Sequence, residues 1–251
     1  MIKSGRAPLK ASEQLARRLR VEMASGALPV GTMLPPEAKM MAELGVGRPT
    51  LREALRLLEA ESLVRVRRGA HGGVEVTAPT TDAAAQTLSM VLAYVGAPLR
   101  EVLEVRSSLE TEAFAAALTP RSVRRLAVSL ADAAEATLLI DPSDAVAVLD
   151  ADDGFRAVGV AEAKVPTYVV LSRLLREMTI GQRRAQVAAL SAGAARRFSA
   201  SVLAAHEAIA ASVAADDRQE ALDAWAEHCA DIRVVVGTPR NRRTDLMATV
   251  V

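Results

Sequence analysis

The sequence predicts a mainly α-helical protein in two parts: three short helices with a β-hairpin at the N-terminus, then an all-α antiparallel helical bundle. Three observations carry this. Hydrophobic residues make up 51% of the 251-residue chain while aromatic residues make up only 2%. That mixture, rich in Ala, Val and Leu, suits helices packed through small side chains and argues against an all-β protein. Apolar residues recur at helical spacing along nearly the whole chain, and strict alternation is confined to residues 63–67 and 74–76. Pro98, Pro120, Pro142 and Pro166 stand at or near the starts of helical stretches, where a missing N–H costs little. The length leaves room for two domains, each with a core of its own.

The elements follow in order. In residues 12–25, Leu15, Leu19 and Met23 lie four apart, and Gly26 ends an amphipathic helix. Residues 28–32 read as a turn or extended connector. Pro35-Pro36 opens a second helix, 36–44, which Gly45 ends. After the short turn Val46-Gly47, a third helix runs from Arg48 or Pro49 to about Ala60, with Leu51, Ala54, Leu55 and Leu58 on one stripe. Leu63 to Arg67 alternates apolar and basic residues, a Gly-rich tip follows, and Val74-Glu75-Val76 alternates again, which predicts a hairpin. Residues 1–77 form the first domain in this reading, and the small, polar, proline-containing stretch 78–81 is a linker. Helices are expected near 82–96, 98–118, 120–137, 143–163, 166–190, 194–215 and 218–236, a bundle domain of residues 82–236. Residues 237–251 are expected to form a flexible basic tail.

Charge is segregated along the chain. Residues 1–78 hold 13 Lys and Arg against 8 Asp and Glu, whereas residues 79–236 hold 15 against 21. A basic module for a polyanion joined to an acidic module of another purpose fits that division. No run of 18 apolar residues appears, so no membrane span is expected, and the N-terminal residues show no secretory signal. The single cysteine, Cys229, excludes an intrachain disulfide and suits a cytoplasmic location. Its apolar helical setting marks it as a buried, inert thiol.

Helix, helix, tight turn, basic helix and basic hairpin describe a winged helix-turn-helix, whose third helix enters the major groove of DNA. If Leu51, Ala54 and Leu55 face the core, then Arg48, Thr50, Arg52 and Arg56 face outward. Arginine suits the task because its planar fork pairs with guanine edges or clasps phosphate. Arg65, Arg67 and Arg68 precede Gly69 in the wing, where a missing side chain permits close approach to a backbone or minor groove. The competing reading is a solvated helix face whose arginines pair with Glu53, Glu59 and Glu61.

The runs Leu34-Pro35-Pro36-Glu37, Leu44 to Leu55 and Leu57 to Val64 resemble the N-terminal signature of GntR-family bacterial regulators over residues 10–77. The resemblance implies operator binding as a homodimer, with contacts from Arg48, Thr50, Arg52, Arg68 and Gly69. Departures from the family pattern are Pro36 and Gly47 in place of serines, and Ala38 where an arginine often contacts DNA. Lys39 is the nearest basic substitute.

In the helical part, Asp152 and Arg156 are four apart on one helix face, Arg106 has Glu110 one turn later, and His206 and His228 fall on the last two helices. Taken alone, these read as easily as satisfied core histidines, an exposed ion pair and surface acids at Asp152-Asp153. The segments around Arg106, Asp152, His206 and His228 are similar to the FCD sensing domain of the FadR branch. That resemblance implies a metal held by one Asp and three His, with an organic acid beside it gripped by an arginine. Asp152, His206 and His228 match three of those ligands, and Arg156 stands at the remaining histidine position. Two readings follow. Either the metal is lost and Arg106, Arg156, His206 and His228 hold a carboxylate directly, with Asp152 alongside, or Asp152, His206 and His228 keep a divalent zinc, nickel or manganese ion. The expected function is a repressor released by a small organic-acid or acyl effector. A metal-dependent enzyme is the distant alternative, since no nucleophile or general base accompanies the Asp/His cluster.

Overall fold

The computed structural model describes residues 10–67 and 72–236, with side chains as far as Ile232, and the chain divides into two compact units that part after Thr80. Arg68, Gly69, His71 and the expected tail 237–251 lie outside the described residues.

The first unit comprises α1 (Ala11–Ala24), α2 (Glu37–Leu44), α3 (Arg48–Ala60), β1 (Val64–Arg67) and β2 (Gly73–Val76). Its core is one apolar cluster in which Leu15, Ala16 and Leu19 of α1 meet Leu51, Ala54, Leu55 and Leu58 of α3, under Leu34, Met40, Val64 and Val76. Gly45 ends α2 with φ of 65°, a left-handed conformation that glycine adopts without strain. Gly47 then caps α3 with extended backbone, and Pro49 sits in its first turn, where no N–H is needed. The two strands are antiparallel, pairing Val64 with Val76 and Arg67 with Gly73. The segment expected to be a connector does more than connect. Gly31 N–H donates to Val76 O at 2.8 Å, Leu34 N–H to Val74 O at 2.7 Å, and Val76 N–H to Thr32 O at 2.9 Å, so residues 31–34 flank β2. Prolines on both sides hide this pairing in the sequence, because they leave too short a run for a periodic signal.

The second unit is helical throughout its described residues: α4 (Thr81–Val95), α5 (Leu99–Ala117), α6 (Val123–Leu138), α7 (Ala145–Ala161), α8 (Pro166–Ala188), α9 (Ala192–Ala214) and α10 (Arg218–Val236). Side chains close three of the N-termini: Asp144 accepts from Ala147 N–H at 3.0 Å, Ser191 from Ala194 N–H at 3.4 Å and Asp217 from Glu220 N–H at 3.1 Å. Helix α6 begins three residues later than expected, because Ser122 N–H turns back to Thr119 O and Ser122 Oγ donates to Ala117 O.

Two apolar clusters fill this unit. One gathers Leu103, Leu149, Met178, Val202 and Ile232, and the other gathers Phe114, Phe155, Ile209 and Trp225. Between them on α5 lie Arg106 and Glu110, on α7 Asp152 and Arg156, on α9 His206, and on α10 His228, all buried. A polar layer thus crosses the bundle between two greasy ones. Among the described residues no helix is long and apolar enough to cross a membrane.

Candidate functional sites

The α3 surface is built by subtraction. Burial of the Leu51, Ala54, Leu55 and Leu58 stripe turns the opposite face to solvent, where Arg48, Arg52 and Arg56 are exposed and Thr50 is half-buried. Glu37, at the start of α2, lies 3.2 Å from Arg52 Nε and 3.7 Å from Arg48 Nε, so one carboxylate steadies both guanidiniums. Arg56 faces Glu53 at 3.6 Å. The other glutamates weighed as partners are engaged elsewhere: Glu61 pairs with Arg20 at 2.6 Å, and Glu59 accepts Val66 N–H at 3.3 Å. On β1, Arg67 reaches Glu75 at 2.8 Å, and Lys39 is exposed on α2 beside Glu43. These exposed pairs contribute little to stability and leave the cations free to exchange partners.

The buried layer brings together all five residues expected there. Arg106 Nε donates to Glu110 Oε1 at 2.7 Å and its Nη2 to Asp153 Oδ1 at 2.8 Å. Arg156 pairs with the other oxygen of Glu110 and lies 3.9 Å from Asp152. Arg183 Nη1 donates to Asp153 Oδ1 at 2.6 Å, and Ser172 Oγ donates to Glu110 at 2.6 Å. His228 Nε2 and His206 Nε2 bracket Asp152 Oδ1 at 2.6 and 3.2 Å. Glu110 and Asp153 are therefore not the exposed acids that the simplest sequence reading made them. They are buried counter-ions, at 0% and 2% exposure. Arg183 was not singled out at all. It lies on a Ser172, Arg176, Thr179, Arg183 stripe of α8, and a polar stripe ordinarily faces water.

Charge is balanced inside this layer, with Arg106, Arg156 and Arg183 against Glu110, Asp152 and Asp153. Burial would raise the carboxyl of Asp152, yet His228, His206 and Arg156 hold it well below the ordinary range. Burial likewise opposes ionisation of Glu110 and Asp153, and their arginine partners keep both lowered. Burial lowers Arg183, while its neighbour Arg156, facing several carboxylates and Cys229, is raised despite its own burial. Burial raises the Cys229 thiol, as expected of an inert cysteine.

One oxygen and two imidazole nitrogens, from Asp152, His206 and His228, lie within 4.8 Å of one another, and these donor types suit zinc, nickel or manganese. Their surroundings do not fit a divalent ion. Asp152 Oδ1 is already within hydrogen-bond distance of both Nε2 atoms, at 2.6 Å from His228 and 3.2 Å from His206, so the atoms that would face an ion face each other. Metal-bound imidazoles ordinarily donate their far N–H, but His206 Nδ1 has no hydrogen-bond partner, and its ring stacks on Phe155 at 3.8 Å. Two guanidiniums, Arg156 and Arg183, stand 3.9 and 3.8 Å from the second oxygen of Asp152. At about 5 Å and an effective dielectric near 20, each opposes a divalent ion by several kcal/mol, roughly 7.

A cavity of about 250 Å³ opens between α5, α7 and α8. Arg106, Asp153, Ser172, Arg173 and Arg176 line its polar side, and Gly154, Ala157, Val160 and Val169 its apolar side. Of the five expected effector residues, only Arg106 borders it. Arg106 Nη1 is buried and has no hydrogen-bond partner.

Comparison with known proteins agrees with this picture. Residues 11–74 match the family described as bacterial regulatory proteins, gntR family. The HTH-type transcriptional regulator Mce2R of Mycobacterium tuberculosis is 40% identical over 57 residues, 23% of this chain and 24% of that protein. The HTH-type transcriptional repressor NanR of Klebsiella aerogenes is 35% identical over 80 residues, 32% of this chain and 30% of that protein. The chain thus spans less than a third of the length of either relative. The solved Streptococcus agalactiae GntR aligns with a TM-score of 0.58 at 23% identity, covering 89% of this chain and 99% of that one. At that identity the likeness shows the fold, a winged helix-turn-helix followed by a helical domain. Residues 11–74, which build the winged domain, are thus similar to the gntR family of bacterial regulatory proteins.

Proposed function

We propose that this chain is a cytoplasmic one-component transcriptional repressor. It binds double-stranded operator DNA as a homodimer through its winged domain and is released when its helical unit, of FCD type, takes up a small carboxylate-containing metabolite. The observation that carries the DNA-binding reading is the face of α3. Arg48, Arg52 and Arg56 project from a helix anchored by four buried side chains, so the cations keep a fixed spacing that can match a groove. Thr50 lies among them, and Arg68 and Gly69, expected from the sequence to join the contact, lie outside the described residues. In a dimer, two such helices meet two half-sites, and effector binding changes the affinity for both through a coupling free energy.

For the effector, the buried layer supports a refined version of the carboxylate reading. Arg156, His206 and His228 are committed to carboxylates of the chain itself, so an incoming acid competes most directly at Arg106, which faces the cavity together with Arg173 and Arg176. A volume of about 250 Å³ is below the usual range of roughly 300–1,000 Å³ for larger ligands. It favours a short organic acid over a long acyl chain. An enzymatic role finds no support: relatives carry the names of transcriptional regulators, and the Asp152, His206 and His228 corner is filled by its own ion pairs.

The decisive experiment is an electrophoretic mobility shift with DNA from upstream of the chain's own gene. A saturable shift that survives excess unrelated DNA supports the reading. Equal affinity for all sequences refutes an operator-specific regulator. A thermal-shift screen of short organic acids then identifies the effector, because a ligand that binds only the folded form raises Tm.

A further inference from the structure

We infer that Arg156 is a resident cation of the helical unit, standing in place of a divalent metal, and that this side chain, together with Arg183, opposes a metal in the Asp152, His206 and His228 corner. The inference deepens the reading of the helical unit as an effector domain, but its test does not depend on DNA binding.

Asp152 offers one oxygen to two imidazoles and needs positive charge at the other. Arg156 is one helical turn away on α7, on the same face, and supplies it at 3.9 Å alongside Arg183 at 3.8 Å, while also pairing with Glu110. Its guanidinium cannot give up its proton in a protein, so the charge is permanent. With Arg106 and Arg183 it balances the three buried carboxylates, leaving no excess negative charge for a dication. An effector acid therefore meets guanidiniums and no metal, and its uptake should be indifferent to chelators. Position 156 is also where a shorter, neutral donor would complete a four-ligand set with Asp152, His206 and His228, since residues four apart on a helix project side by side.

The full-length protein is purified without metal-affinity tags or chelators and its metal content measured by mass spectrometry. Well under about 0.1 equivalent of zinc, nickel or manganese is expected, as is a Tm unchanged by EDTA. Arg156→His should take up about one equivalent of cobalt(II), with visible absorption bands of a nitrogen-bound ion and affinity at least about 100-fold above that of the unaltered chain. Near-stoichiometric metal in the unaltered protein, or tight cobalt(II) binding to it, overturns the inference whatever the variants do. A folded Arg156→His protein that binds no more cobalt(II) than its parent also overturns it. If that variant is insoluble, Arg156→Gln removes the charge at similar size and should still gain affinity for cobalt(II). A mobility shift that fails while the metal results hold would refute the proposed regulator and leave this inference standing.

Discussion

Arg52 and Arg183 carry the same side chain in opposite circumstances. The first is 57% exposed beside Glu37, and the second is wholly buried between Asp152 and Asp153. Exposure makes Arg52 replaceable for folding and available for a partner. Arg48→Ala or Arg52→Ala should leave Tm nearly unchanged and weaken operator binding by about 1–3 kcal/mol where the side chain reads a base. Fluorescence anisotropy at several salt concentrations checks this, because a phosphate contact would instead lower the salt slope by about one. No loss from either substitution would remove α3 as the reading helix. Arg183 behaves otherwise. Arg183→Met removes one of the guanidiniums that hold Asp153, leaving Arg106 at 2.8 Å and Arg176 at 3.3 Å, and should destabilise the helical unit by about 1–3 kcal/mol, more than either exposed α3 substitution. Urea denaturation followed by the fluorescence of Trp225, the single tryptophan of the chain, reports this unit specifically. The exposed arginines of α3 were legible in the sequence as a charged face opposite an apolar stripe, whereas the pairing of Arg48 and Arg52 with Glu37 of α2 was not. The burial of Glu110 and Asp153 was not, because a carboxylate four residues from an arginine looks the same on a wet face and in a core.

At the scale of elements, Gly159 of α7 lies against the indole of Trp225 on α10. A Cβ built on Gly159 would lie 2.6 and 2.8 Å from the indole and 3.1 Å from Phe114, whose ring stacks on Trp225 at 4.1 Å. Backbone strain plays no part here; the space is taken by two rings that brace each other. Gly159→Ala should therefore cost about 1–3 kcal/mol through overpacking and shift the Trp225 emission. Unchanged stability would show that the rings can move apart. Element boundaries read well from sequence, since prolines and glycines mark the starts and stops of helices by their own backbone constraints. The pairing of residues 31–34 with β2 was invisible for a related reason: it is a contact between distant segments, and Pro29, Pro35 and Pro36 leave no room for a local pattern to announce it.

Across the whole molecule, acid should act first on the helical unit. Glu110, Asp152 and Asp153 all titrate below their ordinary values when folded, so the unfolded chain takes up protons before the folded one does. Their contribution to stability is complete above the ordinary carboxylate range, about 3.9–4.3, and is lost as pH falls through the depressed folded values. A Tm that is level from neutral pH down to about 5 and then declines, read by Trp225 fluorescence, is expected. A Tm that rises on acidification would show that the buried carboxylates are strained rather than paired. The two-unit plan itself followed from composition and periodicity, because each unit buries an apolar face that its own helices can cover.

By itself the sequence determined the order and type of the elements, the apolar stripes that face each core, and the basic face left on α3, all of which arise from spacing within a single helix or hairpin. Tertiary structure decided which polar groups are inside. Only when α5, α7 and α8 pack does Arg106 reach Asp153, Arg156 reach Glu110 and Arg183 reach Asp153, partners up to 47 positions apart along the chain. A buried charge is tolerable only beside its opposite, and that neighbour belongs to another helix, where no local pattern records it.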